Sequence, residues 1–304
     1  LASVQAHFLD LFLRWQVKRR MQHITDINAA RAALAGPPPP KVGPDIRITE
    51  DRLGGIPGEW ITCTSAKPRA TLVYLHGGGY IACSPRTHRP ITMAYARAGL
   101  RVFAPDYRLA PENPFPAAVE DAVAAFRAVH AAATGPVVAG GDSAGGGLAL
   151  AMMLALRDGG DALPQRAALF SPWTDLAITG ATVESNSRRD AMFNAEMLRR
   201  APPSYLGDAD PRDPLASPVF ADLRGLPPLL IHVGEREVLL DDSRRLAERA
   251  RAAGVQVSIS VWPAVPHVWQ LAQALVPEAR QSMRQAAAFL LEGTAEPIPA
   301  RAAA

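Results

Sequence analysis

With 304 residues, 48% of them apolar and 20% charged, and a formal net charge of +3, the chain has the make-up of a soluble globular protein whose core needs no disulfide staple. Its two cysteines, Cys63 and Cys83, have neither zinc-like nor CxxC spacing, so neither a metal site nor a disulfide framework is expected, and Cys83 reads as a small buried thiol. The positive excess comes from arginines interleaved with acids, among them Arg188, Arg189, Arg199, Arg200, Arg244, Arg245 and Arg249, which argues against nucleic acid or a membrane surface as a partner.

The start, Leu1-Ala2-Ser3-Val4-Gln5, lacks the charged region and long apolar stretch of a secretory signal. Nowhere do the ~18 apolar residues of a membrane span run together. A cytoplasmic location is the expectation. Residues 1 to about 35 read as helices, with Phe8, Leu11, Phe12 and Trp15 on one face at i, i+3, i+4 and i+7. The cluster from Arg14 to Arg20 then reads as the wet side. Gly36 and the four prolines up to Pro40 break the chain.

From Asp45 the pattern changes to short β-like pieces: Ile46 to Thr49, Trp60 to Thr64, Thr71 to His76 and Val102 to Pro105. Helices are expected over Ala117 to Ala131, Ala144 to Arg157, Ser243 to Ala253 and Pro277 to Leu291. Between them fall strands at Pro136 to Gly140, Ala167 to Ser171, Pro228 to Val233 and Val255 to Trp262. Such alternation predicts an α/β fold, a mostly parallel sheet covered on both faces. Its order is interrupted by an insert from roughly 179 to 224. An insert of that size is more often a lid or cap than a loop.

Two glycine-rich strings carry the chemistry. Gly141-Asp142-Ser143-Ala144-Gly145 is a G-x-S-x-G elbow between an apolar run, Pro136 to Ala139, and the helical run Leu148 to Leu156. The turn is so tight that side chains two before and two after the serine would clash, so both are glycine. His76-Gly77-Gly78-Gly79-Tyr80 follows the apolar run Leu72 to Leu75 and is the HGGG type of loop that offers N–H groups to an oxyanion. Together they point to acyl transfer through Ser143.

A serine hydroxyl needs a base in hydrogen-bond reach and an acid to hold that base in the right tautomer. The order Ser, acid, His restricts the base to His232 or His267. His232 lies inside an apolar strand, where a packed side chain is the simpler reading. His267 lies in Pro263-Ala264-Val265-Pro266-His267, a proline-marked loop after the last strand, and is the expected base. The acid should come from Gly234 to Asp242, where side-chain chemistry alone does not separate Glu237 from Glu235 or Asp241.

Residues 70 to 270 resemble the hormone-sensitive-lipase-like family of bacterial carboxylesterases. Besides HGGG and GDSAGG, the resemblance rests on Tyr107-Arg108-Leu109-Ala110-Pro111-Glu112-Asn113-Pro114-Phe115-Pro116-Ala117, on Ser171-Pro172-Trp173-Thr174-Asp175-Leu176 and on Asp213-Pro214-Leu215-Ala216-Ser217-Pro218. It implies an α/β-hydrolase fold and hydrolysis of short-chain acyl esters without metal or cofactor. In this family the acid is usually the first Asp of a D-P-L-x-D string. Aligning that string puts Glu237 at the first Asp and Asp241 at the second, with Glu for Asp and Val for Pro; Glu237 is the assignment.

The resemblance further implies an oxyanion hole from the N–H groups of Gly77, Gly78 and Ala144. It implies a cap made of the N-terminal helices (1–40) and the insert (179–224) over a hydrolase core (41–178 and 225–304). Phe8, Trp15, Tyr80, Met192 and Phe193 become candidates for contact with substrate; for Phe8, Trp15, Met192 and Phe193 the alternative is that they pack cap against body. His76 reads as fixing the loop, Asp142 as a hydrogen-bonding acid, and Arg108 and Glu112 as spaced to knit a turn behind the oxyanion loop. Val255 to Trp262, expected last in the sheet, offers an edge for a second copy, as members of this family often do.

Three other readings compete. Gly77-x-Gly79-x-x-Ala82 with Asp106 imitates a dinucleotide fingerprint, but Ser84-Pro85 interrupts where the helix should begin. A non-catalytic small-ligand receptor on the same fold would lack the histidine that stands at 267. Amide hydrolysis would use the same three residues and differ in the leaving group it must protonate.

Overall fold

A computed structural model describes residues 2–24, 26–36, 38 and 41–294; Pro37, Pro39 and Pro40 of the proline run, and the alanine-rich end, lie outside the described residues. Among the described residues, eight strands form one sheet: β1 (Ile46–Leu53), β2 (Ile56–Cys63), β3 (Ala70–Leu75), β4 (Leu100–Pro105), β5 (Val137–Asp142), β6 (Ala167–Phe170), β7 (Leu229–Gly234) and β8 (Val257–Trp262). Their order is β1-β2-β4-β3-β5-β6-β7-β8. β2 runs antiparallel to both β1 and β4, and every other pair is parallel.

The helices are α1 (Val4–Leu13), α2 (Arg19–Met21), α3 (Ile27–Leu34), α4 (Arg89–Arg97), α5 (Ala117–Ala132) and α6 (Ala144–Asp158). Then come α7 (Thr182–Ser185), α8 (Ala195–Arg200), α9 (Pro202–Leu206), α10 (Leu240–Ala252) and α11 (Pro277–Glu292). A π turn, Arg14–Lys18, joins α1 to α2.

Side chains of β3 alternate between two apolar layers, as a two-residue period demands. Val73 and Leu75 join Phe103, Phe126, Leu148 and Leu246 in the layer under α5, α6 and α10. Leu72 and Tyr74 join Ile91, Tyr95, Phe289 and Leu290 in the layer under α4 and α11. With both faces covered, all six residues of β5 are buried, which is why that strand is a continuous run of small apolar residues ending in Asp142.

β1, β2 and β4 extend further than the apolar runs suggest, whereas β6 ends one residue earlier and β8 begins two residues later than expected. β1 and β2 close into a hairpin through Gly54 and Gly55, at φ +61° and +83°, with Leu53 opposite Ile56. That is the left-handed two-residue turn that Gly-Gly favours. Helix α4 has no counterpart in the expectation from sequence; it is only nine residues long and opens with a proline in its first turn, so its periodicity is brief.

Arg108 and Glu112 do not bond each other. Arg108 donates to Asp121 at 2.9 Å and pairs with Glu120, while Glu112 accepts from Arg31 of α3. These pairs tie the loop to α5 and α3, which a local spacing cannot reveal. The N-terminal segment and the insert meet: Arg200 donates to the carbonyl of Gln22, and Lys18 Nζ donates to those of Ser187 and Asp190, each at 2.7 Å. Arg14 reaches the carbonyls of Arg188 and Arg189. The basic run at 14–20 is thus partly a clasp and not only a wet face.

Candidate active site

Ser143 sits at the junction of β5 and α6 with φ 53° and ψ −125°, a conformation non-glycine residues rarely adopt. Its N–H donates to Phe170 O at 2.8 Å, and its carbonyl accepts from Trp173 N at 2.9 Å. A Cβ on Gly145 would come within 2.2 Å of Leu75 O and 2.4 Å of His76 O, and one on Gly141 within 2.3 Å of Gly145 O. No side chain fits at either place, so the expected steric reason for the two glycines holds.

The HGGG loop presses against this elbow. A Cβ on Gly77 would be 2.3 Å from Asp142 Oδ2 and 3.1 Å from the Cβ of Ser143. Gly78 and Gly79 take φ +123° and +63°. His76 fixes the loop: its Nδ1 is 2.7 Å from Gly77 O, and its ring stacks on Tyr107 with centroids 4.3 Å apart. Burial holds this imidazole down at about 3, so it stays neutral at ordinary pH. Asp142 is buried and accepts from Tyr74 Oη at 2.7 Å, with His88 Nε2 at 3.2 Å. Burial opposes its charge, yet the His88 and Tyr74 contacts hold the carboxyl below its usual range. It bonds structurally, as its place in the elbow suggests.

On the other side, His267 Nδ1 lies 2.6 Å from Glu237 Oε2, both side chains buried. The second oxygen, Oε1, accepts from Ser171 Oγ at 2.7 Å and Gly234 N at 2.5 Å. Burial works against the imidazolium, but the facing carboxylate outweighs it and raises the His267 pKa above its ordinary value. Of the three acids the sequence leaves open, this is the one that meets the imidazole. Asp241 instead accepts from Thr182 N, and Glu235 is half-exposed near Arg189. His232 bonds Ser282 inside the core at 2.8 Å, the packed role its strand implies.

Three residues that the sequence does not single out support this pair. Ser171, at φ 45°, falls within a string that marks the family without declaring a role. Asn186 donates to Glu237 O at 2.9 Å and Glu235 O at 3.2 Å, steadying the backbone of the acid loop. Buried Asp190 accepts from Met192 N (2.7 Å) and Phe193 N (2.9 Å) through one oxygen and from Val238 N (2.8 Å) through the other. It thereby ties the insert to the residue after Glu237.

The proposed substrate contacts divide. The Phe193 ring meets His267 edge-on, with centroids 5.2 Å apart, and Met192 adjoins it on the loop that Asp190 holds. Tyr80 is buried: it stacks 3.8 Å from Tyr205, and its hydroxyl would lie 2.8 Å from a Cβ on Gly147. It braces the loop from beneath. Phe8 and Trp15 are exposed and form neither a pocket wall nor a packed seam with the body, because α1 turns Ala6 and Asp10 inward instead. Cys83 is half-buried rather than fully enclosed, and desolvation pushes its thiol up to about 12. No group of His, Cys, Asp and Glu able to hold a metal occurs among the described residues, and none of their helices is long and apolar enough to cross a membrane.

A strained serine elbow at the carboxyl end of the central strand of such a sheet defines an α/β hydrolase. Residues 72–271 match the family described as having the α/β-hydrolase fold. An acetyl-hydrolase of Streptomyces hygroscopicus is 47% identical over 269 residues, covering 82% of this chain and 90% of its own. An esterase of Acinetobacter venetianus is 36% identical over 250 residues, covering 81% and 82%. The crystal structure of an esterase from the bacterial hormone-sensitive lipase family superposes with a TM-score of 0.87 at 40% identity, covering 96% and 99%. The chain belongs to that bacterial hormone-sensitive lipase family, and it is a carboxylic-ester hydrolase.

Proposed function

We propose that the protein hydrolyses short-chain acyl esters through Ser143, His267 and Glu237. Ser143 Oγ attacks the ester carbonyl while His267 Nε2 takes its proton; Glu237, on Nδ1, fixes the tautomer and stabilises the imidazolium. The tetrahedral oxyanion is held by the N–H groups of Gly77, Gly78 and Ala144. Expulsion of the alcohol takes the proton from His267 and leaves an acyl-enzyme. Water, deprotonated by the same imidazole, then releases the acid and regenerates Ser143.

The observation that carries this reading is the buried contact of His267 Nδ1 with Glu237 Oε2 at 2.6 Å. It leaves Nε2 as the nitrogen for a reacting hydroxyl. The proximity of Gly77 to Ser143 supports the oxyanion assignment. The preference for short acyl groups is supported by the name of the Streptomyces relative, an acetyl-hydrolase, and by Phe193 standing over the imidazole.

The test is a rate series over p-nitrophenyl esters of rising acyl length with the parent, Ser143→Ala and His267→Ala. The parent should peak at the short end, and each variant should lose at least about three orders of magnitude in kcat. A maximum at long chains would refute the short-acyl preference, and an active Ser143→Ala would refute the nucleophile.

A further inference from the structure

Five large apolar side chains of the N-terminal segment face solvent: Val4 is 82% exposed, Phe8 71%, Leu11 65%, Phe12 48% and Trp15 62%. They recur at helical spacing and make one ridge along α1 and the turn after it. The opposite side of α1 is the one that packs. Ala6 and Leu9 lie against Trp262, Val265 and Trp269, and Ser3 bonds Glu278 at 2.5 and 2.8 Å. Since Val265 and Trp269 each stand two residues from His267, α1 lies over the loop that carries the imidazole. An apolar ridge of this size on a monomer marks an interaction surface.

The fold gathers beside it cations that are dispersed in the sequence. Arg14 donates to the carbonyls of Arg188 and Arg189, and Lys18 to those of Ser187 and Asp190, so the two basic stretches adjoin. Arg19 and Arg20 follow in the chain, exposed, as are Arg188 and Arg189. The carboxylates paired with this group are Asp10, whose side chain is 5% exposed, and Glu235, 4.0 Å from Arg189. Positive charge therefore dominates the outer rim.

We propose that this face docks on an anionic lipid–water interface, the reverse of what the interleaved charges of the sequence imply, because the fold brings the separate basic stretches together. Phe8, Leu11, Phe12 and Trp15 enter the boundary between headgroups and acyl chains, and the arginines meet lipid phosphates, the arrangement of an interfacial amphipathic helix. A second copy of the chain is the poorer occupant, because isologous pairing of this face would set its own arginines against each other. Docking sets the His267 loop one helix thickness, ~10 Å, behind the lipid surface at which a short-acyl ester of an amphiphilic alcohol is presented. That substrate class rests on the esterase reading; the docking itself does not.

The test is co-sedimentation of the whole chain with vesicles of phosphatidylcholine alone or mixed with phosphatidylglycerol. The protein should bind the mixed vesicles, ignore the neutral ones and be released by high salt. Leu11→Ser/Phe12→Ser and Arg19→Glu/Arg20→Glu should each weaken binding about tenfold. Unchanged Tm and an unchanged rate on soluble p-nitrophenyl acetate would show that both are folded. Ser143→Ala should bind as the parent does, so a chain that binds vesicles but cleaves no ester would refute the esterase reading alone. Docking is overturned if the parent ignores phosphatidylglycerol, if both double variants bind undiminished, or if light scattering finds a dimer that Leu11→Ser/Phe12→Ser dissolves.

Discussion

At the level of single residues the site is governed by what faces each ionisable group. His267 must be neutral to accept a proton, and Glu237 raises its pKa above the ordinary 6.5, so kcat/KM should fall on the acid side through an apparent pKa above that value. Glu237→Gln removes the charge; the acid limb should move to lower pH, and kcat should drop by about two to four orders of magnitude. A pH profile on p-nitrophenyl acetate reads both. Asp190 affects the same loop at one remove. Asp190→Asn turns an amide N–H toward one of three backbone donors, and thermal unfolding should register a loss of about 1–3 kcal/mol.

Ser143 and His267 are legible from sequence because their signals are local: a turn that admits only glycine at 141 and 145, and a proline-bracketed loop after the last strand. Glu237 is legible only through the family string, since Glu235, Glu237 and Asp241 fall within seven positions of one another and direction decides among them. Asp190 and Asn186 are not legible at all, because their partners lie about fifty residues away in the chain.

Among the elements, the junction of β5 with α6 has the least tolerance. Gly145→Ala sets a methyl group 2.2 Å from the Leu75 carbonyl, backbone that cannot yield locally. We expect it to lower Tm by roughly 5 °C or more and abolish turnover, measured by scanning calorimetry and ester hydrolysis. The first turn of α10 carries Asp242, buried and accepting from Thr174 N (2.8 Å) and Asp175 N (2.9 Å). Burial, aided by the charge of Asp175, lifts its carboxyl to about 7 against about 3.9 in an unfolded chain. Its stabilising contribution is therefore complete below about pH 4 and lost as pH rises through about 7. Asp242→Asn keeps an acceptor for both amides, so its Tm should gain on the parent's between pH 5 and pH 8. Periodicity shows that α1 has an apolar face, but not which way that face points. Small Ala6 lets the helix approach the Trp262–Trp269 cluster closely, and the aromatic residues are left outside.

For the molecule as a whole, alternating strands and helices predict the sheet well, because each buried parallel strand is a short apolar run. The antiparallel start is less plain, since β1 carries charged residues along its open edge. At the other end β8 pairs, among the described residues, only with β7, and we propose that its outer edge joins a second copy. Light scattering at micromolar concentration should then give the mass of two chains, and Val261→Lys should give one.

The grip of Asn186 and Asp190 on the residues around Glu237 bears on how such enzymes can be recombined. A chimaera that exchanged 179–224 alone would strip the carboxylate-bearing segment of its buried braces. Grafts that carry 235–242 along with the insert would keep donor and acceptor matched, so the natural unit of exchange spans two stretches separated by a strand.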